Sequence, residues 1–217
     1  MNLAVFDIGT NSIHMLVVEI RPDLSFEVLC HEKDTTRLGD GSFESRRLRK
    51  PAMGRALGVL ERFQKIAKTS EVKNVVAVAT SAVRDAKNGR EFVREIYRRT
   101  GIRVRIISGN EEARLIELGA RSSIETQGKK ALVVDIGGGS LELILGDGRT
   151  HHFIESFPLG VARLTDRGGE FSQIARGGLR RIPQTGDLAG HGVGADALWR
   201  RQHGWSGAAR SPSARRS

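Results

Sequence analysis

Residues 131–147 read ALVVDIGGGSLELILGD. An apolar run rich in Val and Leu ends at Asp135, breaks at Gly137, Gly138 and Gly139, and resumes from Ser140. Side chains alternate faces along a strand, so Ser140, Glu142 and Ile144 share one face and Leu141, Leu143 and Leu145 the other; the stretch reads as strand, glycine turn, strand. A hydroxyl and a carboxylate then point together beside a turn that has no side chains. Three glycines let a ligand approach the backbone closely and turn N–H groups toward an anion, while Asp135 at the strand end can hold a divalent cation directly or through water. The ligand this combination points to is a phosphate with a metal ion.

The same device stands near the start of the chain. Leu3 to Asp7 is a short apolar strand ending in an acid, Thr10, Asn11 and Ser12 follow Gly9 in a turn of small polar residues, and Ile13 to Ile20 is a second apolar run. One glycine turn after a strand is ordinarily just a hairpin. Two Asp-Ile-Gly turns, each with an acid at the strand end and a hydroxyl beyond the glycine, favour phosphate binding.

Between the two turns the pattern alternates. A third strand is expected from Ser25 to about Lys33, after a turn at Pro22-Asp23. The loop from Thr35 to Gly41 contains Arg37, which either reaches a phosphate or is simply solvated. Met53, Ala56, Leu57, Leu60, Phe63, Ile66 and Ala67 recur at spacings of three and four, predicting a helix from about Pro51 to Thr69 with one buried stripe and no chemistry of its own. The run from Asn74 to Thr80 is a buried-strand sequence that delivers Ser81 and Arg84 to a strand end, where α/β proteins keep ligand contacts. Arg84 suits a forked phosphate contact, and equally an ion pair with Asp85 or a nearby helix acid. A helix from Glu91 to Arg99 and a strand from Val104 to Ile107 follow. Ser108 or Asn110 caps the next helix, placing Glu111 and Glu112 in its first turn. The helix dipole alone accounts for acids there, and a functional role requires one of them to lean over the turns.

With 217 residues, 39% of them hydrophobic, the chain can bury a core as one large domain or two small ones. No apolar run approaches the roughly 20 residues that span a bilayer, and the N-terminus enters a strand at once, so a cytoplasmic location without membrane association is expected. The single cysteine, Cys30, excludes an internal disulfide or a cysteine zinc cluster and is expected to be a buried thiol. Residues 167–217 hold nine arginines, no lysine and three acids, and so carry more than half of the net charge of +10. This stretch is rich in Gly, Arg, Ser and Ala and lacks sustained periodicity, which predicts disorder. A basic tail is also chemistry for nucleic acid, though that use is not favoured.

The order of elements is an α/β layout with a mixed sheet. The segments FDIGTNSIHMLV, ATSAVRDAKNG, IISGNEEARLIELGA, VVDIGGGSLELILG and FPLGVARLTD, in this order and spacing, resemble the Ppx/GppA family of exopolyphosphatases and guanosine pentaphosphate phosphohydrolases. The resemblance spans about Met1 to Asp166. It implies a ribonuclease-H-like fold of the actin, sugar-kinase and heat-shock ATPase superfamily, with a first domain at 1–125, the start of a second at 126–166 and an off-family tail at 167–217. The change after Asp166 resembles a truncated or frame-shifted product, in which the second domain is only begun.

On matching residues, the resemblance implies that Glu112 positions or deprotonates the attacking water and that Glu142 is a second catalytic acid. Asp135, with Asp7 in the earlier copy, becomes a position for Mg2+ or another divalent cation. Arg84, Thr10, Asn11, Ser12, Gly137, Gly138, Gly139 and Ser140 become the phosphate-binding surface. The implied activity is hydrolysis of a terminal phosphoanhydride in inorganic polyphosphate or guanosine pentaphosphate, impaired if the truncation is real. The oligomeric state is not fixed by the sequence, although family members often dimerise. Two alternatives stand beside it: a sugar-kinase-like phosphotransferase, and a non-catalytic protein that binds polyphosphate or nucleic acid through its basic tail.

Overall fold

The computed structural model describes residues 1–123, 130–147, 150–166 and 197–200. Its first sheet contains β1 (Asn2–Ile8), β2 (Ile13–Ile20), β3 (Phe26–Asp34), β4 (Asn74–Ala79) and β5 (Val104–Ile106), in the order β3-β2-β1-β4-β5. Short turns make β1-β2 and β2-β3 antiparallel pairs, whereas β4 and β5 add in parallel to β1. Parallel pairing needs a crossover. α2 (Lys50–Thr69) supplies the first and α4 (Gly89–Thr100) the second. A mixed sheet of this order, with only β2 reversed, is the ribonuclease-H-like arrangement that the sequence implied.

One face of this sheet makes the core. Ala4, Phe6, Ile8, Met15, Val17, Ala77 and Ala79 are buried with Ala56, Leu60 and Phe63 of α2 and Phe92 and Ile96 of α4. The predicted stripe of α2 is thus the stripe that packs, and Pro51 lies in its first turn, where its missing N–H is no loss. β3 forms the edge of the sheet, leaving Phe26, Val28 and Leu29 exposed. For that reason Cys30 is half-buried instead of buried, and partial burial pushes its thiol up.

The second sheet is built from β6 (Ala131–Ile136), β7 (Leu141–Gly146), β8 (His151–Phe157) and β9 (Ala197–Arg200), in the order β8-β7-β6-β9. β7 runs antiparallel to β6 and β8, and β9 parallel to β6. This repeats β3-β2-β1-β4 of the first sheet in order and direction, so the duplication visible at the two glycine turns extends to the sheets around them. α5 (Gly109–Ser123) packs across β7 and β8. The expected disorder of 167–217 lies outside the described residues except at β9, a strand that the composition did not signal. Among the described residues, no helix is long and apolar enough to cross a membrane.

Three further short elements surround the junction of the two sheets. α1 (Ser42–Ser45) follows the loop that holds Arg37, α3 (Ser81–Asp85) continues from β4, and α6 (Val161–Asp166) follows β8. α6 is tied to α1 by Asp166, which accepts hydrogen bonds from the N–H groups of Gly41 at 3.0 Å and Phe43 at 3.2 Å.

Candidate active site

The two turns close in the same way. Gly9 N–H donates to the Ser12 carbonyl at 3.0 Å, and Gly137 N–H donates to the Ser140 carbonyl at 2.9 Å. Counting outward from each closure fixes the register: Asp7 lies opposite His14, and Asp135 opposite Glu142. Like charges directly opposite on a sheet destabilise it. Asp135 and Glu142 are therefore an unfavourable pair for the fold taken alone, and His14 is the positional counterpart of Glu142 in the first hairpin.

Arg37 serves the first turn through its backbone. Its N–H donates to the Asn11 carbonyl at 2.8 Å and Gly39 N–H donates to the Thr10 carbonyl at 2.9 Å, while the Arg37 side chain is exposed. Thr10 and Ser12 are buried, and Thr10 Oγ1 shares a 3.0 Å hydrogen bond with Ser81 Oγ. The second turn packs directly on this pair. A Cβ built on Gly138 would lie 2.9 Å from Thr10 Cγ2, and one on Gly139 only 1.8 Å from Ser81 Oγ. Glycine at these positions is required by the approach of the two halves.

Arg84 and the acids come next. Ser108 caps α5 by accepting the Glu111 N–H at 3.1 Å, and its carbonyl takes the Glu112 N–H at 2.9 Å. Glu111 turns outward to pair with Arg105. Glu112 turns inward and accepts a 2.9 Å bond from Arg84 Nη1, which also donates to the Ile107 carbonyl at 3.1 Å. The cap thus decides which of the two adjacent glutamates faces the junction. Both sequence readings of Arg84 meet here, since it pairs with a helix acid and also lines a cavity.

That cavity, of about 380 Å³, is lined by Arg84, Asp85, Ser108, Gly109, Asn110, Ser140, Ser156, Phe157, Pro158 and Arg163. Of the residues predicted to bind phosphate, Arg84 and Ser140 line it; Thr10, Gly138 and Gly139 lie against one another beside it.

The electrostatics of the junction are set by crowded carboxylates. Glu142 is 1% exposed, and desolvation, then the charge of Glu112, pushes its carboxyl up to about 7 against the hydrogen bond from Ser156. Ser156 Oγ donates to Glu142 Oε1 at 2.7 Å. Glu112 is also raised by desolvation, with Arg84 opposing and Asp135 adding to the rise. Asp7 is open to water, yet protein crowds that end of the sheet, and its carboxyl is pushed up by desolvation, then by Glu112 and Asp135. Glu112 and Asp135 each act on both Asp7 and Glu142, so the four predicted acids form one electrostatic group.

Among the described residues, no three His, Cys, Asp or Glu side chains converge closely enough to hold a metal unaided. Magnesium does not need such a cage, because it commonly takes one or two carboxylates and completes its octahedron with water and substrate phosphate. Acids that repel one another across the strand pair fit that use.

Ser156, Arg163 and Ser81 were assigned no role from sequence. Ser156 lies on β8, a strand whose sequence HHFIESF alternates weakly. Arg163 fell within the FPLGVARLTD segment and Ser81 beside Arg84, which were the available signals.

Two sheets of one topology, joined at paired Asp-Ile-Gly turns with acids and an arginine gathered between them, define a ribonuclease-H-like protein of the actin and sugar-kinase type. The chain belongs to the Ppx/GppA phosphatase family, which it matches over residues 16–172. It is 34% identical over 165 residues to Exopolyphosphatase 1 of Mycobacterium tuberculosis, an alignment covering 76% of this chain and 48% of the relative. A crystal structure of an exopolyphosphatase from Cytophaga hutchinsonii superposes with a TM-score of 0.75 at 35% identity, covering 77% of this chain and 53% of that one. The Aquifex aeolicus member of the Ppx/GppA family superposes with a TM-score of 0.65 at 32% identity, covering 76% and 54% of the two chains. The chain spans about half the length of the curated relatives it matches.

Proposed function

We propose that the chain carries the catalytic half-site of a phosphoanhydride hydrolase that removes the terminal phosphate of inorganic polyphosphate. The observation that carries this reading is the Glu112–Arg84 pair at 2.9 Å beside the Asp135–Glu142 strand pair, in a chain whose relatives include exopolyphosphatases. In the reaction, Glu112 receives the proton of the attacking water and orients it in line with the terminal phosphorus. Desolvation raises its pKa above the ordinary carboxylate range, which makes it a stronger base toward that proton. Arg84 leaves Glu112 for the phosphate oxygens and stabilises the charge that builds on them. Glu142, close to half protonated near pH 7 on its value of about 7, donates a hydrogen bond to the same phosphate in its protonated form.

Asp135 and Asp7 are the residues that would hold magnesium, which when bound neutralises phosphate charge and their mutual repulsion. The cavity lining of two arginines, three serines and an asparagine, with Asp85 as its one acid and Phe157 and Pro158 as its bulky apolar members, supports an inorganic phosphate chain as the main substrate. Guanosine pentaphosphate presents the same terminal anhydride and is the second substrate class. We place this chemistry in the cytoplasm.

The test is phosphate release from the two substrates in parallel. Faster release per enzyme from polyphosphate supports the reading, and release from guanosine pentaphosphate alone would overturn the substrate assignment. Removing divalent cations with EDTA should abolish turnover, and adding magnesium in excess should restore it.

A further inference from the structure

Arg163 is the most enclosed cation of the junction, 7% exposed, and it belongs to none of the assigned groups. It projects from α6 into contacts with three other elements. Its Nε donates to the Gly139 carbonyl at 2.7 Å, its Nη2 pairs with Asp85, and its guanidinium sits 4.2 Å above the Phe43 ring. A buried arginine with both ends of its fork engaged and its face stacked is fixed in place. Asp85 is the informative partner, because it is the neighbour of Arg84. One Asp85 oxygen faces Arg163, and the other lies 3.8 Å from Arg84 Nε, beyond hydrogen-bond distance.

Asp85 therefore has two arginines within reach, and only one of them holds it. If Arg163 were absent, the nearest cation for the partly exposed Asp85 carboxylate would be Arg84. Arg84 would then be clamped by carboxylates on two sides, Glu112 at Nη1 and Asp85 at Nε, with its charge neutralised where an anion has to bind. We infer that Arg163 is a positioning residue that draws Asp85 away from Arg84 and so keeps the Arg84 guanidinium available to an anionic ligand. The same side chain holds the Gly139 carbonyl, so the glycine turn and the arginine are set by one residue. This inference rests on the proposed role of Arg84 in phosphate binding.

The experiment measures affinity by calorimetry, using the full chain and inorganic tripolyphosphate in magnesium-free buffer, so that no turnover is required. Arg163→Met should weaken binding about tenfold, the scale expected for one added carboxylate near a surface guanidinium. Removing the second charge as well, in Arg163→Met with Asp85→Asn, should bring affinity back to within about threefold of the unaltered chain, a coupling that a double-mutant cycle resolves. A loss that runs through the Gly139 contact instead is not repaired at Asp85. Arg163→Lys keeps a cation beside Asp85 without the fork to Gly139 and should also bind within about threefold; this variant carries the test if the methionine variant does not fold.

Tenfold weakening in Arg163→Lys, or no recovery in the double variant, overturns the inference. Arg84→Met separates the two claims. Binding unchanged by Arg84→Met, or no binding by the unaltered chain, overturns the phosphate reading itself and the inference with it. Binding lost in Arg84→Met but indifferent to Arg163→Met overturns the inference alone.

Discussion

Replacing Glu142 by Gln should stabilise the fold above neutral pH while damaging the site. Glu142 is almost wholly enclosed, and its carboxyl rises from an ordinary 4.5 to about 7 because burial and the charge of Glu112 disfavour the ionised form. A folded-state value above the unfolded one means that the folded protein holds the proton more tightly. Stability from this group is then fully present below about pH 4.5 and is lost as pH rises through about 7. The size of the rise converts to a loss of about 3 kcal/mol at pH 8. Glutamine has no charge to bury and keeps an oxygen for the Ser156 hydroxyl, so Glu142→Gln should recover most of that amount. For a chain of this size the gain corresponds to an increase in melting temperature of about 6–12 °C. Thermal unfolding followed by circular dichroism at pH 4.5 and pH 8 is the assay. The variant should melt higher at pH 8 and almost equally at pH 4.5. Equal melting at both pH values, or a less stable variant at pH 8, would refute the claim that Glu142 is ionised there at a cost to the fold.

Arg84→Met should lower phosphate release by about 10²-fold, the usual effect of removing one donor to transition-state charge, read as initial rates on polyphosphate. It should also lower the pKa opposition at Glu112, moving the acid limb of the rate profile to higher pH in any residual activity, because Arg84 is what holds that carboxyl down. Gly139→Ala should force the two halves apart, since its Cβ would meet Ser81 Oγ at 1.8 Å; a stability loss of about 1–3 kcal/mol is expected from overpacking, measured by urea unfolding. Phe63→Ala, in the core of the first half, should cost about 3–5 kcal/mol and, in the folded fraction, leave tripolyphosphate affinity unchanged by calorimetry.

Much of the first half was legible because its signals are local. The three- and four-residue spacing of α2 states its own structure and the two Asp-Ile-Gly turns mark the hairpins; the β-branched run of β4 gives the strand but not the expected burial, since Val75 and Val76 end up exposed. The Asp135–Glu142 opposition was not drawn from sequence and follows only once the Gly137–Ser140 closure is seen. The remainder depends on contacts between distant residues, which leave no period in a sequence. Arg163 meets Asp85 across 78 positions, and the weakly alternating β8 delivers Ser156 to Glu142 only because β7 and β8 pair. α1 and α3 are four and five residues long, too short for a helical stripe. Cys30 was misplaced for a related reason: an apolar strand sequence does not say whether the strand ends up central or at an edge. The helix-dipole argument does not separate Glu111 from Glu112; the Ser108 cap and the outward Arg105 leave Glu112 as the one that faces the junction.

The central claim is that Glu112, held by Arg84 at the junction of the two halves, activates water against a phosphoanhydride. Phosphate release from long-chain polyphosphate with magnesium, measured for the unaltered chain and for Glu112→Gln with matched circular dichroism spectra, tests it most directly. The account predicts release by the unaltered chain and none above background in the variant. Equal release by both, or no release by either, would contradict it.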